Sequence, residues 1–242
     1  MIEIENPLKS FKEFPGPILL LAGPGTGKTW QLEHRVKFLL EKIEASPSEI
    51  TIITFTNEAA RSMRERLLKE ETGIPHDQIP ENIQTMHSLA NTIVGTNTGI
   101  VGLSEDYGVL TEKYPQTILL KDASSLCGIE RENYLETYNC RIKGDCNKNP
   151  GDSKCKVCDK YVELLRKCNL LDYDDQLFLA CEILRNYPEI QTYWQAQTKY
   201  LLVDEYQDIN AIQCELIQLL SSGQEEGLFA VGDDDQSIYS FR

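Results

Sequence analysis

The eight residues AGPGTGKT, Ala22–Thr29, stand between a short apolar run and an amphipathic segment. The apolar run, Ile18–Ala22, has the length and composition of a buried strand. In the segment that follows, apolar side chains recur every three or four residues, which predicts a helix with one apolar face. Those side chains are Leu32, Val36, Leu39, Leu40 and Ile43. A glycine-rich turn between a strand and a helix is the setting of a phosphate-binding loop.

Each part of this loop has its own task in binding a nucleotide. Glycines let backbone N–H groups converge on a phosphate, and the helix N-terminus adds a favourable dipole. We expect Lys28 to contact the β- and γ-phosphates and Thr29 to ligate Mg²⁺. The pattern usually starts with glycine, where this chain has Ala22, and a glycine-rich turn without function is the alternative. The candidate phosphate-binding residues are Ala22, Gly23, Pro24, Gly25, Thr26, Gly27, Lys28 and Thr29.

A second group of candidate residues follows two later apolar runs. LLVDEYQD, Leu201–Asp208, places Asp204 and Glu205 at the carboxyl end of a predicted strand, where open α/β sheets bind ligands. We expect Asp204 to hold Mg²⁺ and Glu205 to orient and deprotonate the attacking water. Gln236, after the next strand, is expected to sense the γ-phosphate. The alternatives are an ordinary acidic loop and a turn glutamine.

The chain otherwise alternates strands and helices, which predicts an α/β fold with a mostly parallel sheet and helices on both faces. This pattern fails between residues 97 and 167, where the sequence is polar, cysteine-rich and irregular. We therefore expect an inserted subdomain at 97–167 and one discontinuous nucleotide-binding domain at 1–96 and 168–242. The predicted strands are Ile18–Ala22, Ile50–Phe55, Ile83–Met86, Tyr200–Val203 and Leu228–Val231, and the predicted helices include Glu58–Lys69, Gln176–Leu184 and Ile209–Leu220.

Composition restricts the class of protein. No apolar run is long enough to cross a bilayer and the N-terminus lacks the features of a signal peptide, so the cytoplasm is the expected location. The net charge of −14 argues against nucleic acid, whose binding depends on lysine and arginine. Between Cys140 and Lys167, however, eight basic residues face four acidic ones. That local excess predicts either a DNA-binding face or a solvated loop.

Six of the eight cysteines lie between Cys127 and Cys168. The spacing C-x5-C-x8-C-x2-C in a polar loop suits tetrahedral Zn²⁺, and four thiolates could equally hold an iron–sulfur cluster. Free thiols or disulfides are the alternative, although disulfides are disfavoured in the cytosol. Cys127 and Cys168 could replace a ligand. The candidate metal ligands are Cys140, Cys146, Cys155 and Cys158.

Six segments, in order, resemble motifs of the UvrD/Rep-like superfamily 1 DNA helicases. They are AGPGTGKT, ITFTNEAARSMRERL, TMHSLA, LDYDDQLFLA, LLVDEYQDIN and FAVGDDDQSIYSFR. The resemblance covers the chain from about Ile18 to Arg242, apart from the cysteine-rich segment. It implies a RecA-like ATP-binding domain with an inserted subdomain, and an ATP-driven motor that moves 3′ to 5′ on single-stranded DNA.

The resemblance also assigns site residues. Lys28, Thr29, Asp204, Glu205 and Gln236 take the roles already given, with ATP and Mg²⁺ as cofactors. Aromatic faces accept any base, at about 1–3 kcal/mol each, while packing in the core is the alternative for each aromatic. The residues implied to contact DNA are Phe55, Thr56, Asn57 and His87 along the track, with Tyr239 and Phe241 stacking on bases.

Two departures concern the base of the nucleotide. The family usually carries a glutamine before the phosphate loop that reads adenine, and the segment NPLKSFKEFPG has none. The family often has arginine after the loop threonine, where this chain has Trp30. We hypothesise that Trp30 stacks on adenine; a packing tryptophan is the alternative.

A further departure concerns the second half of the motor. In the family, a second RecA-like domain follows SIYSFR and brings arginines that close on the γ-phosphate. Since such arginines contribute roughly 10³–10⁵ in rate, we expect the chain by itself to bind nucleotide without appreciable turnover or unwinding. An expressed fragment and a truncated gene product are both open. The rival functions are a P-loop NTPase switch that does not act on DNA and a non-catalytic DNA- or protein-binding module.

Overall fold

The computed structural model describes residues 17–21, 23, 26–129 and 152–233. Two compact units divide the chain. The first unit comprises Met1–Ser88, Pro188–Ile209 and Ile217–Arg242, and the second comprises Leu89–Tyr187 and Asn210–Leu216. The domain boundaries expected from the sequence, at 96/97 and 167/168, stay a prediction.

The elements of the described residues alternate between strand and helix over most of the chain. In chain order they are β1 (Ile18–Leu21), α1 (Lys28–Lys42), β2 (Ile50–Thr54), α2 (Asn57–Leu67), β3 (Asn82–Thr85), α3 (Met86–Gly95), β4 (Gly108–Leu110), α4 (Lys113–Leu126), α5 (Ser153–Lys167), β5 (Leu170–Asp172), α6 (Asp175–Asn186), α7 (Pro188–Gln197), β6 (Tyr200–Val203), α8 (Ala211–Ser221) and β7 (Leu228–Gly232). Within the described residues, no helix is long and apolar enough to span a membrane.

The first unit is built on a parallel five-stranded sheet of order β1-β7-β6-β2-β3. All five residues of β2 are buried, so both faces of the sheet are covered at that strand. This explains why β2 reads in the sequence as a β-branched run without polar alternation. The predicted fold class is confirmed.

Helices α1 and α2 pack on the sheet through one apolar side each. Leu32, Val36 and Leu39 of α1 are buried at the spacing predicted from the sequence. Helix α2 begins where the Thr56 side chain accepts a hydrogen bond from the Ala59 N–H at 3.0 Å, which satisfies a free N–H of its first turn. The core they form with the sheet contains, among others, Ile18, Ile50, Ile52, Ala60, Met63, Leu67, Ile83, Leu202, Phe229 and Val231.

The second unit contains two helices, α4 and α5, within residues 97–167, where the sequence shows no alternation of strands and helices. Helix α5 carries Val157, Tyr161 and Leu165 at a spacing of four residues, and all three are fully buried. The charged residues Asp159, Lys160 and Glu163 between these positions obscure the apolar stripe in the sequence. Helices α4 and α5 pack together, and β4 and β5 form a separate parallel pair.

A buried polar network holds β5 against α5 in the second unit. The Tyr161 hydroxyl donates to Asp172 Oδ2 at 2.8 Å, and the Asp175 N–H donates to Asp172 Oδ1 at 2.7 Å. Arg166 Nη2 pairs with Asp175 Oδ2 at 3.0 Å, and neither carboxylate is exposed to solvent. Asp172 and Asp175 of the motif LDYDDQLFLA therefore stabilise the core of the second unit.

The protonation of Asp172 follows from this environment. Burial, and then the charge of Asp175, raise the pKa of Asp172 to about 6, while hydrogen bonds from the Asp175 N–H and Tyr161 oppose the shift. Burial also raises the pKa of Tyr161 far above its usual range, so its hydroxyl remains a donor. Since the folded pKa of Asp172 exceeds the unfolded value of about 3.9, its stabilising contribution is present below pH ~4 and lost as pH rises through ~6.

The Tyr161 hydrogen bond is therefore expected to matter more at alkaline pH. At pH 8, Tyr161→Phe leaves a buried carboxylate without this donor, and we expect a loss of about 2 kcal/mol in the free energy of unfolding. At pH 5 Asp172 is mostly protonated and the loss is smaller. Urea unfolding of the variant and the wild type at both pH values measures this difference.

Tyr107→Phe is the matched control for that experiment. The Tyr107 hydroxyl donates to the backbone and side-chain oxygens of Asn91, at 3.2 and 2.8 Å, and both acceptors are neutral. Its removal is expected to cost about 1 kcal/mol at either pH. Equal pH dependence of the two variants would contradict the role given to Asp172.

Candidate functional site

The phosphate loop begins after β1 and ends where α1 starts at Lys28. Gly27 has φ +87°, a left-handed conformation that side chains disfavour, and its carbonyl accepts the Gln31 N–H at 3.0 Å. The Gly23 carbonyl accepts the Thr26 N–H at 3.3 Å and the Thr26 hydroxyl at 2.6 Å. Ala22, Pro24 and Gly25 lie outside the described residues. The described residues of the loop therefore place Lys28 in the first turn of α1.

Lys28 joins three segments of the first unit. Its Nζ lies 3.1 Å from Glu205 Oε2, after β6, and 3.9 Å from Asp233 Oδ2, after β7. The Lys28 side chain is only 12% exposed, and Asp233 is 3% exposed. Strands β1, β7 and β6 are neighbours in the sheet, so the order of the strands brings these groups to one carboxyl edge.

Asp204 is held at the end of β6 by its own backbone. Its N–H donates to the Ile53 carbonyl at 2.9 Å, which continues the pairing of β6 with β2, and its Oδ1 accepts the Glu205 N–H at 3.0 Å. Burial, and then the charge of Glu205, raise the pKa of Asp204 to about 6, while Lys28 opposes the shift. A second cation beside Asp204 would offset the free-energy cost of keeping its carboxylate charged.

Two residues at this edge, Gln207 and Asp233, were not predicted as site residues from the sequence. Gln207 Nε2 donates to Glu205 Oε2 at 2.8 Å, and Gln207 Oε1 accepts the Asp233 N–H at 2.9 Å. Asp233 directly follows β7, so a search for acids after apolar runs could have found it. Gln207 carried no such signal, because its position depends on a short turn after β6.

The Mg²⁺ ligands expected from the sequence are Thr29 and Asp204. Thr29 is half-buried in the first turn of α1, and Asp204 follows β6. Among the described residues, no group of three or more His, Cys, Asp and Glu residues could hold a metal ion. Thr29 offers a hydroxyl and Asp204 a half-buried carboxylate, which are ligand types that Mg²⁺ combines with phosphate and water oxygens.

Trp30 borders an open pocket of about 310 Å³ on α1, together with His34, Lys37 and Arg66. Its indole is 41% exposed and lies against the His34 ring, with ring centroids 3.7 Å apart and planes inclined by 48°. Burial lowers the pKa of His34, which favours a neutral imidazole at pH 7. Trp30 is thus a half-exposed aromatic two residues beyond Lys28.

The residues implied to contact DNA follow β2 and β3. Phe55 is 37% exposed and Asn57 is exposed, while Thr56 caps α2. His87 is half-buried in the first turn of α3, with its Nε2 atom inaccessible to solvent. Both strands end on the same edge of the sheet as β6, because all neighbouring strands are parallel. Gln236, Tyr239 and Phe241 lie outside the described residues.

The cysteine prediction gains no support from the described residues. Cys140 and Cys146 lie outside them, whereas Cys155 and Cys158 stand three residues apart on α5. Cys158 is buried in the apolar core of the second unit, with Leu120, Val157 and Tyr161. A thiol in that position packs as a small apolar side chain. Among the described residues no disulfide joins the six cysteines Cys127, Cys155, Cys158, Cys168, Cys181 and Cys214.

The basic excess between Cys140 and Lys167 is partly neutralised. Arg166 pairs with the buried Asp175, and Lys160 and Lys167 both contact Glu163. These pairs reduce the free positive charge that the described half of this segment can offer to DNA.

Comparison with known proteins finds the family described as "UvrD/REP helicase N-terminal domain" over residues 5–242. The chain is 36% identical to the ATP-dependent DNA helicase Rep of Buchnera aphidicola subsp. Acyrthosiphon pisum, across 94% of this chain and 37% of that protein. It is 31% identical to the ATP-dependent DNA helicase PcrA of Staphylococcus aureus strain Mu50, across 97% of this chain and 33% of that protein. The chain therefore spans about a third of the length of these curated relatives.

Proposed function

Because the chain belongs to the UvrD/REP helicase N-terminal domain family, we propose that it is the ATP-binding part of a motor that moves 3′ to 5′ along single-stranded DNA. The remaining length of the relatives would supply the second RecA-like domain. A nucleotide switch that never touches DNA, or a non-catalytic binding module, fits this membership less well. We expect the protein to act in the cytoplasm.

One contact supports ATP hydrolysis most directly. Lys28 Nζ lies 3.1 Å from Glu205 Oε2 at the carboxyl edge of the sheet, so the expected phosphate ligand and the expected base share one site. Asp204, directly before Glu205, supplies a carboxylate for Mg²⁺. The Lys28–Glu205 pair lies between a glycine-rich turn and the ends of β6 and β7, which distinguishes it from an ordinary salt bridge on the surface.

The chemistry assigns one task to each side chain. A triphosphate competes with Glu205 for the Lys28 ammonium, which turns to the β- and γ-phosphates. Bound Mg²⁺, held by Thr29 and Asp204, would neutralise charge on the phosphate oxygens. Glu205 accepts a proton from the attacking water, whose oxygen bonds to the γ-phosphorus as the bond to the bridging oxygen breaks. ADP and phosphate are the products, and Gln236 is proposed to sense the γ-phosphate.

DNA would run along the other strands of the same edge. Phe55 and Asn57 are accessible after β2, and a partly exposed phenyl ring suits stacking on a base of any sequence. Thr56, His87, Tyr239 and Phe241 are proposed to complete the track. A shared edge would let a change at the phosphates reach the DNA through β6 and β2, which are hydrogen-bonded neighbours.

ATP hydrolysis by these 242 residues, with and without single-stranded DNA, tests this assignment. We expect Mg²⁺-dependent ATP binding with very slow turnover, since arginines of a second domain contribute roughly 10³–10⁵ in rate. Lys28→Ala should abolish nucleotide binding, because it removes the phosphate ligand. Lys42→Ala, in the last turn of the same helix and exposed, should bind like the wild type.

The outcomes separate two parts of the proposal. Failure of the wild-type chain to bind ATP would overturn the assignment of the site. DNA-stimulated turnover that is lost in Lys28→Ala would show that turnover by these residues does not depend on arginines of a second domain, and would contradict the expected slow turnover.

Trp30 is proposed to stack on the adenine. His34 lies against the indole, and the pocket beside it offers room for a base. In a Trp194→Phe background, whose lost indole is buried, the fluorescence of Trp30 should change when ATP binds. Trp30→Ala should weaken ATP binding about tenfold, the value of an aromatic pair of about 1.4 kcal/mol. Unchanged fluorescence at saturating ATP, with binding shown by calorimetry, would exclude the stacking.

A further inference from the structure

We propose that Gln207 is a positioning residue that holds the Glu205 carboxylate in place once Lys28 has turned to the phosphates. This inference rests on the proposed function, since it concerns the same site. Gln207 does not touch the reacting atoms; it acts through the base.

The side-chain amide of Gln207 bridges two of the segments that form the site. Its Nε2 donates to Glu205 Oε2 at 2.8 Å, and its Oε1 accepts the Asp233 N–H at 2.9 Å. The two partners fix the orientation of the amide, because the reverse orientation would set its oxygen against the carboxylate and its NH₂ against an N–H. The base is thereby tied to the end of β7.

The backbone around Gln207 is shaped to hold the amide there. Glu205 has φ +51°, and the single turn Tyr206–Asp208 follows, closed by the Asp208 N–H donating to the Glu205 carbonyl at 3.0 Å. This turn brings the side chain of Gln207 back to Glu205. A Cβ at Gly232 would lie 3.0 Å from Gln207 Oε1 and 3.3 Å from the Gln207 N, so a larger residue there would require Gln207 to move by a few tenths of an ångström.

A bound nucleotide is expected to affect the two hydrogen-bond donors to Glu205, Lys28 and Gln207, differently. Glu205 Oε2 accepts from Lys28 at 3.1 Å and from Gln207 at 2.8 Å. The triphosphate attracts the ammonium of Lys28 away from Glu205. The Gln207 amide is neutral and also bonded to the Asp233 N–H, so its hydrogen bond to Glu205 is retained. Gln207 therefore keeps the carboxylate oriented toward the water without adding a positive charge beside it.

The side-chain amide of Gln207 can be observed directly by ¹⁵N–¹H NMR of this chain, without any turnover. Its signal is assigned by its loss in Gln207→Leu. In the free protein we expect the amide protons to be shifted by their bond to Glu205 and to move to free-amide positions in Glu205→Ala. With Mg²⁺ and a non-hydrolysable ATP analogue, we expect the shift to persist. The exposed amide of Gln78 serves as the reference.

The results of this experiment separate the two proposals. If the analogue binds and the Gln207 amide moves to its free position, the positioning role is wrong while the nucleotide site stands. If the analogue does not bind, the proposed function is wrong and the positioning role falls with it. If the analogue binds and the amide remains bonded, both are supported.

A double-mutant cycle adds a functional readout. In single-turnover hydrolysis, Gln207→Leu should slow the step about tenfold to a hundredfold, as loss of an orienting partner does, while the affinity for ATP changes less than about twofold. In a Glu205→Gln background the same change should have almost no further effect, because Gln207 acts through Glu205. Gln78→Leu should leave both values unchanged. A rate loss of equal size in both backgrounds, or weakened ATP binding, would indicate a merely structural role. If hydrolysis is too slow to measure, the NMR signal of the Gln207 amide decides between the two roles.

Discussion

The ammonium of Lys28 is the positive charge around which the carboxyl edge of the sheet is organised. It contacts Glu205 and Asp233, and its field opposes the pKa rise of Asp204 and Asp208 that burial and the charge of Glu205 cause. Carboxylates in low-dielectric surroundings need cations or protons. An edge that joins several acids to Lys28 therefore has room for more positive charge.

Much of this architecture could be predicted because parallel strands are covered on both faces. Such strands read as unbroken apolar runs, and Tyr200–Val203 has the same bounds in sequence and structure. The strand order β1-β7-β6-β2-β3 could not be predicted, since apolar runs do not specify their neighbours. That order is what brings Asp233 to within 3.9 Å of Lys28, a contact that was missed.

The second unit shows where composition misleads. The stretch that contains α5 looks irregular because lysines and cysteines surround its apolar stripe, yet Tyr161 and Leu165 are fully buried. Cys158, a metal ligand predicted from its spacing, is buried in that core. Spacing alone cannot separate these uses, because the same C-x2-C pattern lies on one side of a helix when the segment is helical.

The position of Gln207 depends on backbone geometry that the letters DEYQD do not reveal. A non-glycine residue in the left-handed region costs roughly 1–2 kcal/mol, and Glu205 accepts that conformation. With this conformation, the turn after β6 lets the side-chain amide of Gln207 reach both Glu205 and the Asp233 N–H. Strain of this kind persists only where surrounding contacts hold it. Here the contacts are the two hydrogen bonds of Gln207 and the close passage of Gly232. The left-handed Glu205 and the side chain of Gln207 thus stabilise each other, which ties the geometry of the Glu205 carboxylate to the end of β7.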